Sequence, residues 1–225
     1  MSGSSPQRPF PSKLILGSAS PRRREILEAA GFEFDVVPAA VSEQQREGET
    51  PQEFVCRIAA EKARRTLSLV PPPCRSPVLA ADTVVMLDEH TQGKPTSLEG
   101  ARWMLRLLSG KEHQVLTGVC LIYPLMHGPI PPDGLRQDIR FASTTVKFRE
   151  LAEEEIEQYV ATGEPLDKAG AYAIQGRASL FVEWIHGCYF NVVGLPISLV
   201  YQMLQDLASA LREEKTPEGQ SEEKA

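Results

Sequence analysis

The sequence predicts an α/β fold in a single domain, and two observations lead to that prediction. Short apolar runs typical of buried strands alternate with stretches whose apolar residues recur at helical spacing. The chain has 225 residues, 42% of them hydrophobic, which is enough for one large core. The strand-like runs centre near Leu14, Val36, Val78, Val115 and Val146, and the helical stretches near Ile26, Val55, Met104, Ile156 and Leu199.

Both ends of the chain and one internal stretch have the composition of irregular segments. Residues 1–12 and the charged residues 213–225 are predicted to be disordered tails on either side of one domain at residues 13–212. Residues 124–138 contain four prolines and two glycines. They predict an exposed excursion between two strands.

Composition argues against several classes of protein. No apolar run is long enough to cross a membrane, and the first dozen residues lack the pattern of a secretory signal, so we expect a cytoplasmic chain without a membrane partner. The four cysteines have no CxxC pairing, so neither a disulfide nor a zinc framework is expected. The net charge of -6 argues against a general polyanion-binding surface. Affinity for phosphate must therefore come from a local cluster of cations.

The segment LILGSASPRRREILEAAGF predicts a strand, a tight loop and a helix. Ser20 is expected to cap this helix and Gly31 to end it. Arg22, Arg23 and Arg24 fill the first turn, where the helix dipole favours negative charge. These arginines either bind a phosphate at the helix N-terminus or face water and pair with glutamates of the same helix.

A lysine and an aspartate stand where hydrophobic residues are expected. In TPQEFVCRIAAEKARRTL a capping box begins a helix, and Lys62 continues the apolar stripe of Val55, Ile58 and Ala59. This lysine either meets an anion or extends its aliphatic stem across the helix edge. In PVLAADTVVML, Asp82 interrupts a strand-like apolar run. A carboxylate is buried there only if it is paired, hydrogen-bonded or metal-bound, which makes Asp82 the strongest catalytic candidate.

Three further positions are weaker candidates. Glu43, in VSEQQREGET, either supplies a second carboxylate or is an ordinary loop acid. Lys94 precedes a helix that Ser97 is expected to cap, and it is either a ligand-binding cation or a solvated one. Gln175, in GEPLDKAGAYAIQG, either reads a planar ligand from a pocket wall or points into solvent from a hairpin. His186 is expected to be structural, and no histidine is given a catalytic role.

Seven motifs, taken in order, resemble those of the Maf family of nucleotide pyrophosphatases. They are SASPRR, EKA, AADTVV, GKP, LSGKEHQVLTGV, LDKAGAYAIQG and NVVGLP, and the resemblance runs from about Leu14 to about Leu207. It implies an elongated, two-lobed α/β fold with a mixed central β-sheet flanked by helices and a nucleotide-binding cleft between the lobes. It also implies a homodimer.

The resemblance assigns three kinds of role to residues of this chain. Asp82 matches the proton acceptor and metal-site acid, and Glu43 matches a second acid for a divalent cation, Mg²⁺ or Mn²⁺. The phosphate-contacting positions correspond to Ser20, Arg23, Lys62 and Lys94, and the positions that separate enzymes acting on dTTP and UTP from those acting on 7-methyl-GTP correspond to Arg22, Thr83 and Gln175.

The expected activity is metal-dependent hydrolysis of pyrimidine nucleoside triphosphates, including modified CTP such as 5-methyl-CTP, to the monophosphate and pyrophosphate. Ala173 departs from the AYGIQG form of the motif, and its methyl group would narrow the base pocket slightly. Two rival functions are a nucleotide-binding regulator that has lost turnover and a nucleic-acid-binding module built on the arginine-rich helix. The acidic balance and the 7% aromatic content disfavour the nucleic-acid module.

Overall fold

The computed structural model describes residues 13–74, 76–88, 90–124 and 135–213. The expected tail at residues 1–12 lies outside these ranges, as does the other tail from residue 214 onward, although Glu213 closes the last helix. The predicted excursion at residues 124–138 is too wide. Residues 135–138 pair in antiparallel register with residues 121–124, so they are strand, and residues 125–134 lie outside the described part of the chain.

Across these described residues, seven strands form one mixed sheet, as the resemblance implies. Its strand order is β2-β1-β3-β5-β6-β7, and β4 pairs with the C-terminal end of β3. Strand β1 is parallel to both of its neighbours, β2 and β3. The remaining neighbouring pairs along this order, β3–β5, β5–β6 and β6–β7, are antiparallel. The strands are β1 (Lys13–Leu16), β2 (Glu33–Val36), β3 (Val78–Leu87), β4 (His90–Gln92), β5 (Glu112–Pro124), β6 (Leu135–Phe148) and β7 (Val182–His186).

Helices cover the sheet and connect its strands. All five predicted helices are present, and the structure adds a five-residue helix near the C-terminal end of the domain. The helices are α1 (Pro21–Ala29), α2 (Pro51–Leu69), α3 (Leu98–Leu108), α4 (Glu153–Val160), α5 (Tyr189–Val193) and α6 (Ile197–Glu213). Three short 3-10 turns, Glu164–Asp167, Ala169–Ala171 and Arg177–Phe181, join α4 to β7.

The helix termini follow the expected local chemistry with one exception. Thr50 and Glu53 form the capping box of α2, and the Ser97 hydroxyl accepts a hydrogen bond from Gly100 N at 3.0 Å. Ser20 occupies the N-cap position of α1, but its side chain makes no capping bond. The Ser20 amide donates instead to Ser18 Oγ at 3.2 Å, so Ser20 is the N-cap residue as expected but caps the helix without a side-chain hydrogen bond.

The hydrophobic core forms two large clusters, and strands β3 and β5 contribute to both. One cluster joins β1, α1 and α6, and the other joins α3, α4 and β6. Along β3, Ala81 belongs to the first cluster and Val85 to the second, with Asp82 and Thr83 between them. Each of these two clusters is the core of one lobe of the molecule. Asp82 and Thr83 of β3 therefore lie where the two lobes meet.

Helix α2 packs tightly on the sheet above this junction. An added Cβ at Gly118 of β5 would lie 2.3 Å from the carbonyl oxygen of Val55, so glycine allows the helix to approach the strand closely. The face of α2 that contains Ile58 and Lys62 is thereby held against β3. No helix in the described ranges is both long and apolar enough to cross a membrane.

Candidate active site

A cavity of about 670 Å³ opens between the two lobes. Its walls come from the loop after β1, the loop after β2, α2, β3, the loop after β4, and the turns between α4 and β7. The structure brings all of the predicted site residues to these walls: Ser20, Arg22, Arg23, Glu43, Lys62, Asp82, Thr83, Lys94 and Gln175.

Lys62 lies between two carboxylates at the centre of the cavity. Its Nζ is 2.7 Å from Asp82 Oδ1 and 2.6 Å from Glu43 Oε1. The side chains of Lys62 and Asp82 are 12% and 9% exposed, whereas Glu43 is 45% exposed. Of the two alternatives for Lys62, the structure favours contact with an anion over a stem extended into solvent. The buried charge of Asp82 is compensated by the same contact.

Glu43 is held in place by a network around Arg57 of α2. The Arg57 guanidinium donates to the carbonyl oxygen of Gln44 at 3.0 Å and to both carboxylate oxygens of Glu49. That hydrogen bonding lowers the pKa of Glu49 to about 2. Burial by itself would raise the pKa of Glu43, but the hydrogen bond and charge of Lys62, with the charge of Lys94, lower it overall. The loop therefore presents an ionised carboxylate to the cavity.

Arg23 is buried and bonds to four acceptors of the protein itself. It donates from Nε to Gly194 O at 2.8 Å, from Nη1 to Ala81 O at 2.7 Å and Ser18 Oγ at 3.1 Å, and from Nη2 to Thr83 Oγ1 at 3.1 Å. Burial lowers the pKa of this guanidinium, and the nearby charge of Asp82 opposes that change. Arg23 thus ties the first loop to the two residues on either side of Asp82, through the backbone of Ala81 and the side chain of Thr83.

The other two arginines of α1 have different surroundings. Arg22 lines the cavity, and its Nη1 is 3.5 Å from Asp167 Oδ2 on the opposite wall. Arg24 is exposed and lies 3.9 Å from Glu28 one turn along the helix. The three arginines therefore do not act as one phosphate cluster, because only Arg22 and Arg23 face the cavity.

The AYAIQG segment forms a turn in the cavity wall. The hairpin that the sequence left open is wrong, since 3-10 turns lie on both sides of this segment. Gly176 N donates to Ala173 O at 2.9 Å, which closes a four-residue turn with Gln175 in its third position. Gly170 N donates to Gly93 O at 3.0 Å and joins this wall to the loop of Lys94.

Lys168, the lysine of GEPLDKAGAYAIQG, also lines the cavity, although no specific role was predicted for it from the sequence. Its side chain is only 12% exposed, and its Nζ donates to Glu164 O at 2.9 Å and to the Asp167 carboxylate. The LDKAG motif contained this lysine, but no helical or strand periodicity indicated which way it faced. No histidine lies among the described residues that line the cavity, and His186 is at the exposed end of β7.

Three carboxylates line the cavity, Glu43, Asp82 and Asp167, and contact with Lys62 brings the first two together. Within the described ranges, no group of three or more histidine, cysteine or acidic side chains could hold a metal ion. Mg²⁺ commonly binds proteins through one or two carboxylates and completes its shell with water and substrate phosphates. A pair of carboxylates beside several cations fits a metal that arrives with a phosphate ligand.

The sequence profile described as Maf-like protein matches residues 13–207. The chain belongs to the Maf family. It is 47% identical over 186 residues to a dTTP/UTP pyrophosphatase of Geobacillus sp. (strain WCH70), an alignment that covers 83% of this chain and 93% of the relative. It is 47% identical over 191 residues to a dTTP/UTP pyrophosphatase of Thermococcus onnurineus, covering 84% and 95% of the two chains.

A further Maf relative is the dTTP/UTP pyrophosphatase of Salmonella typhimurium. It is 45% identical over 202 residues, which cover 90% of this chain and 96% of the relative. The family resemblance predicted from the seven motifs is therefore confirmed. The matched region contains both lobes and every Maf motif that lines the cavity.

Proposed function

We propose that this Maf-family chain hydrolyses pyrimidine nucleoside triphosphates, dTTP and UTP first among them, to the monophosphate and pyrophosphate. The observation that carries the proposal is the buried Lys62 and Asp82 pair at the centre of a cavity lined with further cations. Such a site combines a proton acceptor with groups that neutralise phosphate charge, which are the two requirements of this hydrolysis. Its cellular role would be to remove wrong or excess nucleotides in the cytoplasm.

Asp82 would accept the proton of the attacking water. The water oxygen forms a bond to the α-phosphorus, the bond from that phosphorus to the bridging oxygen breaks, and pyrophosphate leaves. Lys62 offsets the charge of Asp82 before the reaction and would contact a phosphate of the nucleotide. Ser20, Lys94 and Lys168 would contact the triphosphate, while buried Arg23 adds positive charge behind the first loop.

Glu43 and Asp82 would together hold a divalent cation, Mg²⁺ or Mn²⁺. Bound there with the nucleotide, the cation would neutralise charge on the phosphate oxygens. Glu43 suits this role because it is ionised, half exposed and anchored by the Arg57 network. The contacts from Lys62 keep both carboxylates at the same point of the cavity.

Base selection would fall to Arg22, Thr83 and Gln175. The amide of Gln175 both donates and accepts, so it can pair with the imide edge of uracil or thymine. A base with the wrong pattern would leave buried polar groups unpaired, which is the basis of strong discrimination. Ala173, the first residue of this turn, adds a methyl group to the same wall.

Pyrophosphate release from a panel of nucleotides tests this function. The panel comprises dTTP, UTP, CTP, 5-methyl-CTP, GTP and 7-methyl-GTP, each assayed with Mg²⁺, with Mn²⁺ and with EDTA. We expect release that requires the metal and is fastest for dTTP and UTP. Release from 7-methyl-GTP alone would contradict the base assignment. Nucleotide binding without release would favour the non-catalytic regulator.

We also propose that the chain forms a homodimer through the exposed part of β6 and β7 beside α2. Ile139, Phe141 and Trp184 are 37%, 46% and 43% exposed, and the strand register puts them on one face of the sheet. Exposed apolar groups gathered on one face are typical of an interface. Sedimentation of the wild-type chain should give a dimer, and Phe141→Glu should give a monomer. A monomeric wild type would overturn this assembly.

A further inference from the structure

Glu164 lies directly behind the turn that presents Gln175 to the cavity. Its Oε2 accepts a hydrogen bond from Arg177 N at 3.3 Å. A Cβ added to Gly176 would overlap Glu164 Oε1, so the carboxylate is packed against the backbone of the turn. Glu164 itself is not among the residues that line the cavity. The carboxylate thus supports the wall from the side away from the ligand.

The carboxylate is in turn fixed by the core of the second lobe. Tyr159 Oη donates to Glu164 Oε1 at 3.1 Å, and this tyrosine is 3% exposed. Its ring packs edge-on against Phe181, with the ring centroids 5.2 Å apart. Burial, with a smaller effect from Glu164, raises the pKa of Tyr159, so its hydroxyl remains a donor. The backbone of Glu164 is held as well, because its carbonyl accepts from Lys168 Nζ at 2.9 Å.

These contacts join the core to the base-reading turn through the Glu164 side chain, beside a hydrogen bond between Tyr159 and the backbone of Ala173. Tyr159 sets the position of one carboxylate oxygen, and the other oxygen holds the backbone amide two residues after Gln175. Discrimination by hydrogen bonding depends on where the reading group sits to within a fraction of an ångström. A change behind the turn would therefore alter base selection without removing any group that contacts the nucleotide.

We propose that Glu164 is a positioning residue that fixes Gln175 and thereby sets the selectivity between uracil and cytosine nucleotides. The proposal rests on the proposed pyrophosphatase function and deepens it. A glutamine at 164 can keep both contacts, since its amide oxygen can accept from Arg177 N and its amide nitrogen can donate to Tyr159 Oη. An alanine at 164 removes both contacts and leaves space beneath Gly176.

Steady-state pyrophosphate release from UTP and CTP, measured for matched variants, tests the proposal. For Glu164→Ala we expect the ratio of kcat/KM for UTP over CTP to fall about tenfold, mainly through a higher KM for UTP, with kcat changed less than about threefold. Glu164→Gln should keep the wild-type ratio. Tyr159→Phe, which removes only the hydroxyl, should shift the ratio in the same direction by a smaller factor. Glu154→Ala, an exposed glutamate on α4, is the control.

An unchanged UTP to CTP ratio in Glu164→Ala would overturn the proposal, even if overall activity fell. If that variant melts below the assay temperature, Tyr159→Phe and Glu164→Asp carry the test, and an unchanged ratio in both would count against it. The affinities of UMP and CMP, measured by calorimetry, give a readout that needs no turnover. If the wild type releases no pyrophosphate, the proposed function fails, while a preference for UMP that Glu164→Ala loses would still support the positioning role.

Discussion

Lys62 Nζ and Asp82 Oδ1 lie 2.7 Å apart at the point where α2 crosses β3, and both side chains are nearly buried. The lysine also contacts Glu43, so a single ammonium group compensates two carboxylates. In a partly desolvated site, removal of one member of such a set leaves an uncompensated charge. The same contact is therefore expected to matter for both stability and catalysis.

Lys62→Met should destabilise the fold by about 3 kcal/mol, because it leaves the charge of Asp82 buried without its partner. Methionine retains most of the aliphatic stem of lysine. The loss in free energy of unfolding therefore measures the effect of the missing charge and not of lost packing. Urea unfolding at neutral pH measures the effect. Arg65→Met, at an exposed position of the same helix, should change stability by less than about 0.5 kcal/mol. Equal effects of the two substitutions would show that the Lys62 pair is energetically unimportant.

Asp82→Asn should lower kcat for pyrophosphate release by at least about 100-fold, since the amide cannot accept the proton of the attacking water. The fold should persist, because asparagine has the same shape and can still accept from Lys62. Enzyme assay and thermal unfolding, measured side by side, separate these outcomes. Asp88→Asn, at the exposed end beyond the same strand, is the control. Full activity of Asp82→Asn would remove this residue from the mechanism.

His113→Gln should make the protein less sensitive to acid. Burial lowers the pKa of His113 to about 4, well below the ordinary value of about 6.5 for histidine. Between these values the unfolded chain binds a proton that the folded chain does not, so wild-type stability falls as pH drops from about 6.5 to about 4. Glutamine takes up no proton when the variant unfolds. His113→Gln should therefore lose less stability than the wild type between about pH 6.5 and about pH 4.

Urea unfolding at several pH values measures this difference. Glutamine can still meet Tyr172 Oη, which lies 2.8 Å from His113 Nε2, so the neutral-pH comparison stays close. His186→Gln, at an exposed position, should leave the pH profile unchanged. Parallel profiles for wild type and His113→Gln would contradict the prediction.

Gly170→Ala should destabilise the fold by about 3 kcal/mol, through a left-handed backbone and a steric overlap. Gly170 has φ of +65°, and an added Cβ would lie 2.7 Å from Val85 Cγ2. Gly48 has a similar φ of +73°, but nothing lies within 4 Å of its added Cβ. Gly48→Ala therefore isolates the backbone effect and should cost only about 1 kcal/mol. If thermal unfolding gives the same loss for both variants, the overlap with Val85 is relieved by small shifts.

Local patterns in the sequence were sufficient for the parts of the site that lie within regular elements. The capping box predicted where α2 begins, and the apolar stripe of that helix placed Lys62 on the face toward the sheet. The apolar run around Asp82 indicated a buried carboxylate in a strand. Both residues could be recognised as site candidates because a charged side chain among hydrophobic residues needs a partner. Neither pattern could show that Lys62 and Asp82 pair with each other.

Contacts between distant segments could not be predicted in this way. Arg23 finds its acceptors at Ala81, Thr83 and Gly194, far along the chain, so a cation on the first helical turn looked free to bind phosphate. Glu164 lies in a short 3-10 turn and Lys168 lies between two such turns, and this segment has no periodicity that predicts which way a side chain faces. Strand β7 and helix α5 have five residues each, too few for either period to emerge.

The hydrogen bond between Arg23 and Gly194 can form only late in the synthesis of the chain. The ribosome releases the first loop early, yet the carbonyl that accepts from Arg23 Nε belongs to a residue made near the end of the domain. Strand β1 likewise gains its second neighbour only after β3 has emerged. The cavity therefore cannot close around a ligand while most of the chain is still being made. We therefore expect the cavity to bind a nucleotide only after residue 194 has been synthesised.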